Sequence, residues 1–467
     1  MVEPTENRCT KPMRVVIVAE NVSMRMGGEA SLPFYYFKLL RRQVDVWIVC
    51  HARVREELCE AFPDNEDFQK IRFVEDTWFQ VLVWRISQWF PYRIKDLIFS
   101  QLLHLSTQRQ ARAVVKKMID ELDIQIVFEP SPITPKGLSF MYNMGVPVVI
   151  GPLCGGLEFP PAFRYMDSPV AHISISVGRF LSLIAHRLVP GKLQADTLIV
   201  ANKCTANALP RGYRGKVYEV VESGVDLSIW KPTKGNVSIP DRDLHLTAAS
   251  SIDTIAHSTT QGVFKSNENR YNQPVRFVYC GRFVDWKGVQ FLIEGFKQVA
   301  ERTNSVLELI GDGELRSTIE AQVAELNIQD RVNFHGWMAR EDSAKIIRDC
   351  NVFVMPSLRE CGGTALLEAM AMGLPIVTTN WAGPANYVDS TCGILVEPTS
   401  REAFINGLAE AMIRLGESPE LVRRMGEAST QRVTKHYFDW ESKTDRVIEI
   451  FKETLLHSFE LLDTKLE

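Results

Sequence analysis

The sequence predicts an α/β protein made of two doubly wound parallel sheets in tandem. Three observations lead there. Short, continuous, β-branched apolar runs recur along the chain, as strands buried on both faces require. Stretches of helical spacing separate most of them, the alternation that makes a parallel sheet. The chain has 467 residues, too many for one ordinary domain and suited to two or three.

The first series opens with MRVVIVAE at 13–20, a buried strand. A loop, Met24-Arg25-Met26-Gly27-Gly28-Glu29, follows it, and a helical pattern runs from about Ser31 to Arg42. VDVWIVCH, IQIVFEP, PVVIGP and DTLIVANK then repeat the strand theme, so residues 1–212 read as one domain. KVYEVVESGVD opens a second series, continued by RFVYCGRF, SVLELIGDG, RVNFHGW, CNVFVMPS, LPIVTTN and CGILVEP. These runs make residues 213–437 a second domain. A polar stretch at 233–273, rich in Ser, Thr, Asn and Asp, is expected to be a mobile surface insertion. Residues 438–467 have helical spacing, with Val447, Ile448, Ile450, Phe451, Leu455 and Leu456 on the apolar side. Two such sheets imply a cleft between them, with ligands at the carboxyl ends of the strands.

Composition narrows the class. An apolar content of 45% and a charged content of 24% are those of a globular protein with large cores. A net charge of -4 argues against a general nucleic-acid binder. The nine cysteines form no C-x-x-C pair, and several sit in apolar runs. They are expected to be buried thiols of a reducing compartment, neither a disulfide framework nor a zinc site. The opening residues lack the apolar core of a signal peptide, and no apolar run approaches the roughly 18 residues of a membrane span. The expected location is cytoplasmic.

Two stretches carry candidate chemistry. In YCGRFVDWKG, 279–288, a strand ends at Gly281, Arg282 follows, and Lys287 stands just before a helix. A guanidinium and an ammonium at such a loop can hold a diphosphate, or they can be two solvated charges. In LRECGGTALLEAMAMG, 358–373, a Gly-Gly-Thr run falls at a helix start, where backbone amides favour an anion. Glu360 precedes that run and Glu368 lies one turn into the helix; both carboxylates can accept from sugar-like hydroxyls. Alone, the spacing also suits two surface charges. Together, a phosphate clamp between two hydroxyl-binding carboxylates fits a sugar-diphosphate-ribose molecule.

GGEA, ESGVD, GRFVDWKG, LIGDGEL and RECGGTALLEAMAMGLPIV occur in that order. This set resembles the retaining glycosyltransferases of family 4, specifically over 213–437 and more weakly over 13–212. The resemblance implies the GT-B fold, two Rossmann-like domains facing a central cleft, with the last helix crossing back to the first domain. It implies a nucleotide-sugar donor (a UDP-, GDP- or ADP-sugar), no required cofactor, no metal, and a saccharide or lipid-linked acceptor. By position, Arg282 and Lys287 would bind the donor diphosphate and Glu360 the donor sugar. Gly281, Gly362, Gly363, Thr364 and Ala365 would meet sugar and phosphate through their backbone, and Glu368 would hold the ribose hydroxyls. Gly27 and Gly28 would approach the phosphates, and Trp337 and Met338 the nucleobase.

One departure stands out. Many members have a histidine in the first domain, where this chain reads VVIGPLCGGLEFPPAFR. Glu158 is the nearest ionisable side chain there, and His172 lies downstream. Other signals are separate. Asp241-Arg242-Asp243 has the D-x-D spacing of another glycosyltransferase fold but sits in the polar insertion. GDGEL lacks a third glycine for a dinucleotide fingerprint. The stretch 78–105 mixes Trp and Phe with Arg85, Arg93 and Lys95, a composition suited either to core helices or to peripheral contact with a membrane; the same choice holds for 175–192. Alternatives to transfer are a GT-B phosphorylase or epimerase and a nucleotide-binding scaffold without activity.

Overall fold

The computed structural model describes residues 12–26, 28–90, 99–167, 182, 184–231 and 274–466, with side chains as far as residue 460. Gly27, Arg93, Lys95, His172, the polar insertion with its Asp241-Arg242-Asp243, and residues 175–181 and 183 lie outside the described residues.

The chain forms two compact units. The first holds a seven-stranded, all-parallel sheet in the order β3-β2-β1-β4-β5-β6-β7. Its strands are β1 Arg14–Val18, β2 Asp45–His51, β3 Ile71–Val74, β4 Ile126–Glu129, β5 Val148–Leu153, β6 Thr197–Val200 and β7 Lys216–Glu219. Val15 of β1 stands opposite Val46 on one side and Ile126 on the other. Alternation then sorts the core. Val15 and Ile17 pack on one face, with Tyr35, Tyr36 and Phe37 of helix α1, Gly28–Leu40. Val16 and Val18 pack on the other, with Ala111, Val115 and Met118 of a long helix, Ser100–Leu122.

The last helix, Trp440–Leu466, also belongs to the first unit. Trp440 stacks on Tyr35 with ring centroids 4.6 Å apart, and Phe451 meets Phe128 edge-on at 5.1 Å. Thr454 Oγ1 lies 2.8 Å from Thr197 Oγ1, and Lys443 Nζ donates to the carbonyls of Val221 and Ser223. Of the apolar stripe read from the sequence, Val447, Ile448, Ile450 and Phe451 are buried, whereas Leu456 faces out.

The second unit holds a six-stranded parallel sheet in the order β10-β9-β8-β11-β12-β13. These are β8 Arg276–Cys280, β9 Val306–Ile310, β10 Val332–Gly336, β11 Val352–Met355, β12 Ile376–Thr379 and β13 Gly393–Val396. Helices Val289–Arg302 and Arg401–Gly416 cover one face, with Phe291, Leu292, Phe296, Phe404 and Leu408 in the core.

Two features differ from the sequence reading. The run at 216–219, taken to open the second series, is the seventh strand of the first sheet. It pairs with β6 through Thr197–Lys216 to Val200–Glu219. The division between the units therefore falls at Ser223 and Gly224, after 212. The segment beginning at Leu157 belongs to the second unit, because Phe163 packs at 5.5 Å from Phe291 and 5.7 Å from Phe404. None of the eight described cysteines is in a disulfide; Cys50, Cys154, Cys350 and Cys392 are buried, but Cys59 and Cys204 are exposed. Among the described residues no helix is long and apolar enough to cross a membrane.

Candidate active site

The candidate residues of the second unit gather where its strands end. β8 runs out at Cys280, and the backbone after it is laced to its neighbours. Gly281 N donates to Ile310 O at 3.0 Å, and Phe283 N donates to Asp312 O at 2.8 Å. Tyr279, buried, donates its hydroxyl to Arg282 O at 2.9 Å. Arg282 itself is exposed, and its guanidinium joins no ion pair among the described residues.

A short 3₁₀ turn, Asp285–Lys287, ends at Gly288 in the left-handed region, φ +74°. A Cβ there would lie 2.1 Å from the carbonyl oxygen of Pro356, so only glycine lets the β8 loop come this close to the loop after β11. Leu358 N completes the junction by donating to Trp286 O at 2.9 Å. From behind, Gly383 supports the second loop: its N donates to Glu360 O at 3.1 Å, and a Cβ would collide with Cys361 O. These two supports set Lys287 Nζ against Glu360 Oε2 in a half-buried ion pair.

Past Glu360 the chain has little side chain. Gly362 and Gly363 are buried, and Thr364 and Ala365 are half-buried at the start of helix Thr364–Ala371. That end carries the positive pole of the helix. Glu368, one turn in, is 6% exposed and pairs through Oε1 with Arg340. Burial pushes its carboxyl up, and Arg340 pulls it back. Arg340 opens helix Arg340–Arg348 after β10, and its guanidinium sits 6.0 Å over the buried ring of Trp230. The Cys280 thiol registers the whole set. Burial pushes it up to about 12, Glu368 adds to the rise, and Lys287 and Arg340 oppose it. Both carboxylates therefore have a basic partner in one electrostatic neighbourhood.

Trp337 follows β10 and is 80% exposed; Met338 beside it is half-buried. Gly28 is in the first unit, where it starts α1 instead of ending the loop before it. Its neighbour Glu29 accepts from Ile133 N at 3.0 Å. Glu158, weighed as a stand-in for the missing histidine, is an exposed residue of the second unit. It pairs with Arg164 at 3.7 Å, and its carbonyl accepts from Trp381 Nε1 at 2.8 Å. Arg340 was missed by sequence reasoning. Its only signal was position, two residues past Met338 in the loop assigned to the nucleobase. Among the described residues no group of three or more His, Cys, Asp or Glu side chains is placed to hold a metal ion.

These charged loops and the glycine-rich helix start lie at the carboxyl ends of the strands, where open α/β sheets bind their ligands. Residues 261–432 match the model of the family described as glycosyl transferases group 1. A lipopolysaccharide core biosynthesis glycosyltransferase, LpsE of Rhizobium meliloti, is 32% identical over 34% of this chain and 46% of its own length. The chain spans about half the length of the curated relatives it matches. Among solved structures, HepE of Anabaena in complex with UDP has a TM-score of 0.59 at 15% identity, covering 94% of this chain and 100% of that one. Sucrose-phosphate synthase of Thermosynechococcus elongatus has a TM-score of 0.58 at 16% identity, covering 95% and 100%. The two sheets are those of the GT-B fold.

Proposed function

We propose that the chain is a retaining glycosyltransferase of family 4, moving a sugar from a nucleotide donor to a saccharide or lipid-linked glycan. It would serve polysaccharide or glycoconjugate synthesis, as a cytoplasmic protein in peripheral contact with a membrane. The reading rests on the meeting of Lys287 and Glu360 beside the Gly362-Gly363-Thr364-Ala365 helix start.

The geometry supports a partner exchange. Lys287 and Glu360 neutralise each other. A diphosphate would draw Lys287 to itself, beside Arg282, and free Glu360 for the sugar hydroxyls. Backbone amides of the helix start would take the remaining phosphate oxygens. Glu368, held by Arg340, would accept from the ribose hydroxyls. As the bond between the anomeric carbon and the phosphate oxygen breaks, negative charge grows on the leaving diphosphate. Arg282, Lys287 and the helix end would stabilise that charge. The acceptor hydroxyl would form its bond on the same face, and its proton would pass to the departing phosphate oxygen. In this reading the chain needs no cofactor beyond the donor.

A thermal-shift series with UDP, GDP, ADP and their sugar conjugates tests this. A true donor nucleotide at about 100 times its Kd stabilises the fold by roughly 2.7 kcal/mol. Lys287→Ala should lose most of that shift, and Glu360→Gln should keep the nucleotide shift but lose transfer. UDP is tried first, since HepE was solved with it. A chain that responds to no nucleotide, or a Lys287→Ala variant that responds as wild type does, removes the proposed donor site.

A further inference from the structure

Helix Trp78–Ser87 of the first unit is built inside out for a protein in water. Its buried side chains are Gln80, Val83 and Ser87, two of them polar. Gln80 is fixed there: Thr107 Oγ1 accepts its Nε2 proton at 2.9 Å, and its Oε1 accepts from Gln110 Nε2 at 2.8 Å. Thr77 and Gln80 close a capping box, so the start of the helix is firmly set. The outward side carries Trp78, Phe79, Leu82, Trp84 and Ile86, and Trp89 follows one turn on. Trp78, Trp84 and Trp89 are 77%, 57% and 91% exposed. Scattered exposed apolar residues are ordinary, but a contiguous aromatic face marks an interaction surface.

Charge and residue type select the occupant. Arg85 is exposed on the helix itself, and the sequence places Arg93, Lys95 and a single acid, Asp96, just after it, although the overall net charge is -4. Arg109 and Lys116 are exposed on the helix that receives Gln80. Tryptophan prefers the boundary between lipid headgroups and acyl chains, and basic residues are drawn to anionic headgroups. A ten-residue helix is about 15 Å long, too short to span a bilayer but suited to lie flat in its surface. We propose that this helix face docks the protein on an anionic bilayer surface, with Trp78, Trp84 and Trp89 at headgroup depth. The inference stands apart from the donor site and survives or fails without it.

The test is flotation of the full-length chain with vesicles of phosphatidylcholine, alone or mixed with phosphatidylglycerol, at low and raised salt. Wild type should float with the mixed vesicles, less so in salt, and its tryptophan emission should shift to the blue. The double variant Trp84→Ser, Trp89→Ser should bind at least about tenfold more weakly. Arg85→Glu should also lose about tenfold on the mixed vesicles, and it keeps the inference testable if the double variant folds poorly. The proposal is overturned if wild type floats with neither vesicle, or if both variants float as wild type does. A dimer by light scattering that the double variant converts to monomer would also overturn it, assigning the face to a second copy.

Discussion

The carboxyl ends of the two sheets handle charge in opposite ways. In the first unit, Glu129 and Lys192 are almost fully buried. Gln108 Nε2 donates to Glu129 at 2.8 Å, and Lys192 Nζ donates to Thr134 O. Glu29 takes Ile133 N at 3.0 Å and Ser131 Oγ at 3.4 Å. Lys192 and Glu29 both hold one loop, residues 131–134, while Glu129 is held by Gln108. In the second unit, Lys287 and Glu360 are half-buried and hold each other. Buried charges cannot exchange their partners for a ligand without great desolvation cost, whereas a pair at the rim can. The first arrangement holds a scaffold, and the second leaves a charge pair at the rim, where the proposed donor site would lie.

Breaking the scaffold should have the largest effect. Burial lowers the Lys192 ammonium to about 8, with Glu129 and Glu29 pulling it back up. Burial likewise raises the Glu129 carboxyl. Lys192→Ala leaves that carboxylate without its cation and should cost about 3–5 kcal/mol in urea unfolding. The double variant Lys192→Met, Glu129→Gln removes both charges and should recover much of the loss. A Lys192→Ala variant as stable as wild type would erase the contrast between the two units.

A smaller effect sharpens the contrast from the other side. Glu368 is as buried as a scaffold residue, yet it lies at the site and depends on Arg340. Burial raises its folded pKa, and Arg340 opposes that rise. A carboxyl with a raised folded pKa contributes stability below its unfolded pKa, and loses it as pH climbs through the folded value. Arg340→Ala takes away the opposing cation, so the folded pKa rises further. The ionised form, proposed to accept ribose hydroxyls, then appears only at higher pH. The acid limb of kcat/KM should move to higher pH, with partial rescue in Arg340→Lys. If the limb stays in place in Arg340→Ala, Arg340 does not hold that charge.

How much of this was legible in the sequence depends on whether local pattern or long-range contact decides. The central strands were legible because RVVIV and VFVM are continuous and apolar, as burial on both faces demands. Lys216–Glu219 was readable as a strand but not as a member of the first sheet. It is an edge strand with exposed ends, and nothing in its own pattern names its neighbour. The passage at Phe159 and Phe163 reads as a Pro-rich loop; only the pocket between Phe291 and Phe404 makes it part of the second core. As candidates, Lys287, Glu360 and Glu368 were legible because each stands where strand end, glycine and helix start follow one another in sequence; the meeting of Lys287 with Glu360, 73 residues on, was not. Arg340 was not, because its pairing with Glu368 depends on one loop reaching another element 28 residues away.

The smallest expected effect separates two kinds of exposed aromatic. Trp337 is as open to solvent as the tryptophans of the outward helix face, but it stands alone at a strand-end loop close to Arg340. A lone ring can stack on a base, whereas a face of rings covers a surface. Trp337→Ala should leave stability within about 0.5 kcal/mol of wild type, since the ring is 80% exposed and buries little. It should raise the donor KM about fivefold, the low end for loss of a single stacking contact, with kcat nearly unchanged. Trp337→Phe should keep most of the affinity, because a smaller ring still offers a face. Vesicle binding should be untouched by either change, just as Trp84→Ser with Trp89→Ser should leave the donor KM alone. An unchanged donor KM in Trp337→Ala would take the nucleobase away from this loop, while leaving the Lys287–Glu360 and Arg340–Glu368 pairs to be judged on their own variants.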